Sequence, residues 1–273
     1  MFNLKDKVIV ITGGTGLLGR QHADAVASHG AIPVLLDINQ ERLDTVSADI
    51  TKRHGVKCAG LKTDITSESA VAEVCARVIQ SFGKVDVLIN NAANNPQVDS
   101  KGKVGGEGSR LENFSLAAWS GDIAVGLTGA FLCAKHFGAE IAKNPGGGAI
   151  INIASDLGLI GPDQRLYRKE GLPESEQPVK PVTYSVVKSG LVGLTRYIAT
   201  YWAEKNVRCN ALCPGGVQTN QPEAFVKELT SRIPMARMAR QNEYQGVIVF
   251  LCSDEASYMN GSIISMDGGR TAW

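Results

Sequence analysis

Aromatic residues make up only 6% of this 273-residue sequence, and neither sign of charge is in excess, with 28 Lys and Arg against 27 Asp and Glu for a net +1. Without a surplus of cations, bulk charge does not steer the chain to nucleic acid or to an anionic membrane surface. Six cysteines, at positions 58, 75, 133, 209, 213 and 252, are scattered without a CxxC pair or a Cys/His cluster. Neither a metal site nor a disulfide framework is indicated. The N-terminus passes through Lys5, Asp6 and Lys7 into an apolar strand and lacks the layout of a signal peptide. No apolar run nears the ~18–20 residues that span a bilayer. These absences point to a soluble, cytoplasmic protein with reduced thiols that engages neither nucleic acid nor membrane.

What the chain does have is rhythm. Hydrophobic residues make up 44% of it, an ordinary share for a globular core. Short apolar runs alternate with amphipathic segments almost from end to end. Runs at 8–12, 32–37, 59–64, 85–90, 149–155, 207–213 and 262–267 read as seven strands. Most are rich in Val, Ile or Leu without polar alternation, as in parallel strands covered on both faces. The clearest helix begins after Ser67, a natural N-cap, and places Val71, Val74, Cys75, Val78, Ile79 and Phe82 on one stripe before Gly83. Strand–helix alternation with short links predicts an α/β fold, a doubly wound seven-stranded parallel sheet with helices on both faces. No repeat or linker divides the chain, so a single domain over 1–273 is expected. Two stretches break the rhythm: 94–114, with Gly102, Gly105, Gly106 and Gly108, and 161–182, with Pro162, Pro173, Pro178 and Pro181. Both leave the carboxyl edge of the sheet, where open α/β sheets bind ligands, so they read as a lid or substrate wall. A subunit contact or a tolerated insertion is the alternative.

The opening glycines carry the first chemical signal. Gly13, Gly16 and Gly19 lie between the first strand and a helix over 17–29, in the run Thr12-Gly13-Gly14-Thr15-Gly16-Leu17-Leu18-Gly19. Missing Cβ atoms let the backbone approach a pyrophosphate, and the helix N-terminus offers it free N–H groups. The second strand ends in Asp37, 18 residues after Gly19. A carboxylate there accepts from ribose hydroxyls and repels a 2′-phosphate. With Ile38 following and no cation in the turn, NAD is preferred over NADP, although Arg42 is close. A ligand-free turn, with Asp37 merely capping the next helix, is the plainer alternative.

The second signal is Ser155, Tyr184 and Lys188. Moving hydride to or from a carbonyl carbon requires matched proton transfer at its oxygen. A free tyrosine, with a pKa of about 10, is a poor base at neutral pH, and a nearby ammonium favours its phenolate. Tyr184 and Lys188 are neighbours if 182–203 is helical. Ser155, ending a buried strand, is placed to hydrogen-bond a substrate oxygen. The four histidines, His22, His29, His54 and His136, are isolated and are not candidates for catalysis.

Taken in order, the glycine run, Asp64, Asn90-Asn91-Ala92-Ala93, Asn152-Ile153-Ala154-Ser155, Tyr184 with Lys188, Pro214-Gly215 with Thr219, and Asp267-Gly268-Gly269 resemble the short-chain dehydrogenase/reductase family, nearest its classical type, over essentially the whole chain. The resemblance implies a Rossmann-like domain, with Tyr184 as general acid/base, Lys188 tuning it and holding the nicotinamide ribose, and Ser155 orienting substrate. It implies cofactor contacts from Gly13, Thr15, Gly16, Leu17, Leu18 and Gly19, and from Asp37 and Ile38. Asp64 and Ile65 would border the adenine, and Asn90, Asn91, Ala92 and Ala93 would lie toward the nicotinamide ribose. Pro214, Gly215, Val217 and Thr219 would close the nicotinamide end, together with Tyr184 and Lys188. A homotetramer or homodimer is implied, bundling helices over 119–143 and 184–206.

Three departures stand out. Leu17 replaces a small residue in the glycine run. Gly126 stands where the family usually has the Asn of a catalytic tetrad. And 28 residues separate Ser155 from Tyr184. The expected activity is NAD-dependent interconversion of a secondary alcohol and a ketone. Polar and charged residues in the two long stretches (Lys101, Lys103 and Arg110; Asp163, Gln164, Arg165, Arg168, Lys169 and Glu170) would suit a small polar substrate such as a sugar, sugar acid or nucleotide sugar. Gly126 keeps open a nucleotide-binding regulatory or scaffold protein, and the spacing of the glycine run keeps open a non-redox epimerase or dehydratase with retained NAD.

Overall fold

The computed structural model describes residues 2–94, 103–104 and 107–273. Seven strands, β1 (Val8–Thr12), β2 (Ile32–Asp37), β3 (Ala59–Lys62), β4 (Val87–Asn90), β5 (Gly148–Ile153), β6 (Val207–Pro214) and β7 (Ile263–Met266), form one sheet in the order β3-β2-β1-β4-β5-β6-β7. Every pairing in it is parallel. The order reverses between β1 and β4, which opens a crevice at their carboxyl ends.

Alternation along each strand feeds two cores. Ile9 and Ile11 of β1 face one layer, built with helices α1 (Leu17–Ala27), α2 (Gln40–His54) and Gln245–Cys252. Val8 and Val10 face the other, built with α3 (Glu68–Phe82), α4 (Leu116–Ile141) and α5 (Val182–Tyr201). Ser67 caps α3 by accepting from the Ala70 N–H, and Gly83 ends it at φ 77°, both as the sequence predicts. Asn39, not Asp37, caps α2, accepting from the Arg42 N–H.

Three strands end sooner than their apolar runs. Asp64, Ser155 and Asp267 turn the chain out of the sheet by accepting from the N–H groups of Thr66, Leu157 and Gly269. Local side-chain acceptors compete there with the ladder. Helix α4 also corrects a sequence expectation, because it is long and apolar enough by length and composition to cross a membrane. Glycines and polar residues interrupt its sequence, and Cys133, Phe137 and Ile141 bury one side of it against the sheet. It contains two π-helical turns, Ala124–Thr128 and Ala134–Gly138.

Beneath the crevice a buried amide chain ties sheet to helices. Asn90 Nδ2 donates to Asn152 Oδ1 at 2.9 Å, and Asn152 Nδ2 donates to Thr195 Oγ1 at 2.8 Å. Thr195 in turn donates to the Leu191 carbonyl. These bonds join β4, β5 and α5 in the buried interior, where low polarity strengthens them, while Asn90 Oδ1 has no partner among the described residues.

Candidate active site

The glycine turn between β1 and α1 is shaped by close backbone contacts. Gly13 has φ 61°, and a Cβ there would lie 2.9 Å from Ala92 Cα. A Cβ on Gly19 would run into the Gly13 carbonyl oxygen and stand 2.9 Å from Gly14 Cα. Thr12 Oγ1 accepts from the N–H groups of both Asn91 and Ala92 at 3.0 Å, while Asn91 Nδ2 donates to the Thr12 carbonyl at 2.9 Å. The turn and the end of β4 are thereby clamped together. No side chain caps α1 at Gly16, so its first N–H groups are available to an anion. Asp37 Oδ2 accepts from Thr15 Oγ1 at 2.6 Å and from the Thr15 N–H at 3.2 Å.

From this turn a cavity of about 1300 Å³ runs along the carboxyl edge of the sheet. Gly13, Thr15, Gly16, Leu17 and Leu18 line its start, with Asp37, Ile38 and Arg42 beside them. Asp64 and Ile65, then Asn91, Ala92 and Ala93, line its middle. Ser155, Tyr184 and Lys188 line its far part, with Pro214, Gly215, Val217 and Thr219 opposite. Two predicted contacts fall outside this wall. Gly19 packs under the turn, and Asn90 is spent on the buried amide chain. Among the described residues no cluster of His, Cys, Asp and Glu could hold a metal.

Tyr184 and Lys188 share one face of α5. Lys188 is buried, and its Nζ donates to the Ile153 carbonyl at 2.8 Å. Burial lowers its pKa to about 8. Burial raises that of Tyr184, opposed by hydrogen bonding with Ser155. Ser155 donates to Asp156 Oδ1 at 2.7 Å and accepts from the Leu157 N–H. Asp156 is itself paired with Arg270, 2.7 Å away, with the two side chains 4% and 9% exposed. Asp267 accepts from the N–H groups of Gly269 and Thr271, folding the chain around Arg270. Asp156 and Arg270 escape motif reading, although each directly follows a motif residue or segment.

The insertion 161–182 meets the cavity through different residues from those the sequence suggests. Asp163 pairs with Arg165 and Arg232, and Arg168 pairs with Glu174. Gln177 holds the segment together, donating to the carbonyls of Lys169 and Leu172. None of Asp163, Gln164, Arg165, Arg168, Lys169 or Glu170 lines the cavity, whereas Tyr167 and Lys180 do. Phe225, Leu229 and Met238 supply an apolar wall beside them. In the other stretch, Arg110 is taken up by Glu112 and the Glu174 carbonyl. Lys101, Gly102, Gly105 and Gly106 lie outside the described residues, as does the Lys103 side chain. Residues Lys103–Val104 and Glu107–Gly108 pair antiparallel.

The profile of the family described as short chain dehydrogenase matches residues 7–167, and one described as enoyl-(acyl carrier protein) reductase matches 174–271. The chain belongs to the short-chain dehydrogenase/reductase family. A meso-2,3-butanediol dehydrogenase of Serratia marcescens is 32% identical over 271 residues, covering 98% of this chain and 95% of the relative. A 3-oxoacyl-[acyl-carrier-protein] reductase of Aquifex aeolicus is 30% identical over 270 residues, covering 97% and 98%. The crystal structure of an NAD+-bound xylitol dehydrogenase superposes with a TM-score of 0.84 at 26% identity, covering 97% of this chain and 99% of that one. The short-chain dehydrogenase/reductase membership makes this protein an oxidoreductase of alcohols and ketones that takes a nicotinamide cofactor.

Within this short-chain dehydrogenase/reductase, Gly126 has a steric cause. It is buried in the first π-helical turn of α4, and a Cβ there would lie 2.5 Å from Val187 Cγ1, directly beside Lys188. An asparagine therefore requires Val187 to move. Gly126→Asn is expected to destabilise the fold by about 1–3 kcal/mol, as overpacked cores do, rather than to raise activity. Thermal unfolding checks this, and Val187→Ala in the same chain is expected to recover part of the loss. An unchanged melting midpoint in the single variant would count against the clash.

Proposed function

We propose that this protein is an NAD-dependent oxidoreductase interconverting a secondary alcohol and a ketone, with residues 1–273 forming one dinucleotide-binding and catalytic domain. The observation that carries the reading is a single cavity joining the glycine turn and Asp37 at one end to Ser155, Tyr184 and Lys188 at the other. The residues suit NAD: Gly13 and Gly16 leave the turn open, the start of α1 is uncapped, and Asp37 presents acceptors beside it. When bound, NAD would supply the hydride acceptor or donor. In the oxidative direction the Tyr184 phenolate takes the hydroxyl proton as the carbon loses hydride. In the reductive direction the neutral phenol returns that proton to the oxygen. Lys188, held at the Ile153 carbonyl, keeps positive charge near the phenolate. Ser155, with its proton on Asp156, meets an alcohol as an acceptor, and it must turn that proton off Asp156 to donate to a ketone.

The preference for NAD over NADP rests on Asp37, and Arg42 at the cavity rim keeps it from being absolute. Asp37→Ala is expected to lower the NAD/NADP ratio of kcat/KM about tenfold, the worth of one charge-assisted contact. Steady-state kinetics with both cofactors checks this, and an unchanged ratio would shift the selectivity to other residues. For substrate, the mixed wall of Tyr167, Lys180, Gln221 and Arg270 with Phe225 and Met238 favours a small hydroxylated molecule such as a sugar, sugar acid or nucleotide sugar. The polyol and diol named for two similar proteins support that class. Leu116, Phe131, Val186, Tyr197 and Tyr201 are exposed on α4 and α5, which supports a homotetramer or homodimer bundling these helices. Six free cysteines, five of them buried, support a reducing, cytoplasmic setting. The decisive experiment is cofactor reduction by the purified protein with NAD or NADP across sugars, sugar acids, nucleotide sugars, polyols and hydroxysteroids. Turnover of one class with NAD establishes the reading. NAD binding with silence across the whole panel argues for a non-redox or binding role.

A further inference from the structure

Two lysines, not one, face the phenol of Tyr184. Lys180 lies four residues before it, on the insertion just ahead of α5, and its Nζ stands 3.8 Å from the centroid of the Tyr184 ring. Lys188, on the next turn of α5, is farther from that ring at 5.8 Å, with its Nζ also donating to the Ile153 carbonyl. An ammonium over an aromatic face is attracted to the neutral ring. Once the phenol ionises, negative charge spreads into the same ring, and the attraction becomes one between opposite charges in a desolvated cleft. We propose that Lys180 is a positioning residue for Tyr184, acting through the face of its ring to stabilise the phenolate alongside Lys188.

The other groups around the phenol set the balance. Ser155 hydrogen-bonds Tyr184, and Asp156 from the same turn opposes the phenolate while engaged by Arg270. Tyr167 of the insertion interacts with Tyr184 as a second, partly buried phenol. Cys213 of β6 acts on Lys188. Burial lowers Lys180 and Lys188 alike to about 8, and Lys180 further depresses Lys188. Removing Lys180 therefore strengthens the hold of Lys188 on its own proton, and the expected effect is that of one cation lost, not two. The placement also gives the long insertion a role in the chemistry, since the segment that lengthens the Ser155–Tyr184 interval brings the second cation.

The inference rests on Tyr184 as the acid/base group proposed above, but its test needs no substrate. Near-ultraviolet phenolate absorbance is titrated in the wild type and in Tyr184→Phe, and the difference isolates Tyr184. The same subtraction is made between Lys180→Met and Lys180→Met/Tyr184→Phe. With the same subtraction made for each, the Tyr184 midpoint is expected to lie about one pH unit or more lower in Lys180→Arg, whose cation persists where a phenol ionises, than in the uncharged variant. Lys180→Gln gives the same comparison if the methionine variant does not fold. Equal midpoints in the folded Lys180→Arg and uncharged variants overturn the proposal. That holds equally if the variant weakens substrate binding, which would make Lys180 a substrate contact only. Silence on the substrate panel bears on the dehydrogenase reading, and the titration midpoint bears on Lys180.

Discussion

Tyr184→Phe is expected to lower turnover about 10²–10⁴-fold, the range for removing a general acid/base, while NAD affinity changes less than about twofold. The substitution deletes one oxygen and leaves the ring beneath Lys180. Most features suited to the cofactor lie elsewhere, in the turn at Gly13 and Gly16 and at Asp37, so binding and chemistry separate. The pH dependence should separate as well. Oxidation needs the phenolate, whose pKa burial raises, so wild-type oxidation climbs as pH rises, while reduction, which needs the neutral phenol, falls. The residual activity of the phenylalanine variant should lose that limb. Binding by fluorescence quenching and turnover at several pH values measure both halves. Activity within a few-fold of wild type would remove Tyr184 from the mechanism.

Arg270→Met is expected to destabilise the fold by about 3–5 kcal/mol, as removing one partner of a buried ion pair does. Asp156 is almost completely enclosed, and without the guanidinium its carboxylate is left desolvated. Denaturant unfolding measures the loss. Asp156→Asn added to Arg270→Met should restore part of it, because the stranded charge is then gone. A loss below about 1 kcal/mol would mean that water reaches Asp156. Activity should fall beyond what stability explains, because the Asp156 oxygen opposite the Arg270 contact orients the Ser155 hydroxyl.

Seven strands, their parallel pairing and most of the cavity wall beside the glycine turn could be read from the sequence, because they follow from local rules. Parallel strands announce themselves as apolar runs, and a phosphate-binding turn needs glycines where backbone meets backbone. Legibility stopped where a residue's partner is distant in the chain. Asp156 gains its meaning from Arg270, 114 positions away, and Gly126 from the methyl groups of Val187. The charges of the insertion misled for a related reason. Asp163, Arg165 and Arg168 satisfy one another or Arg232 and Glu174 at the surface, while Tyr167 and Lys180, less conspicuous in sequence, turn inward. Gly19 and Asn90 belong to their motifs as packing and buried hydrogen bonding instead of as wall.

The insertion divides the protein into an exchangeable patch and the scaffold beneath it. Leu166 seats it on Leu229, Ile233 and Met238, and its charges close on themselves and on that neighbouring stretch. Exchanging the segment would therefore disturb the seven-stranded scaffold little, while replacing Tyr167 and Lys180 in the cavity wall. Selectivity can then be altered by exchanging a patch of roughly twenty residues, with the sheet and its cores left in place. A chimera carrying a short loop in its place would show how far the scaffold alone discriminates.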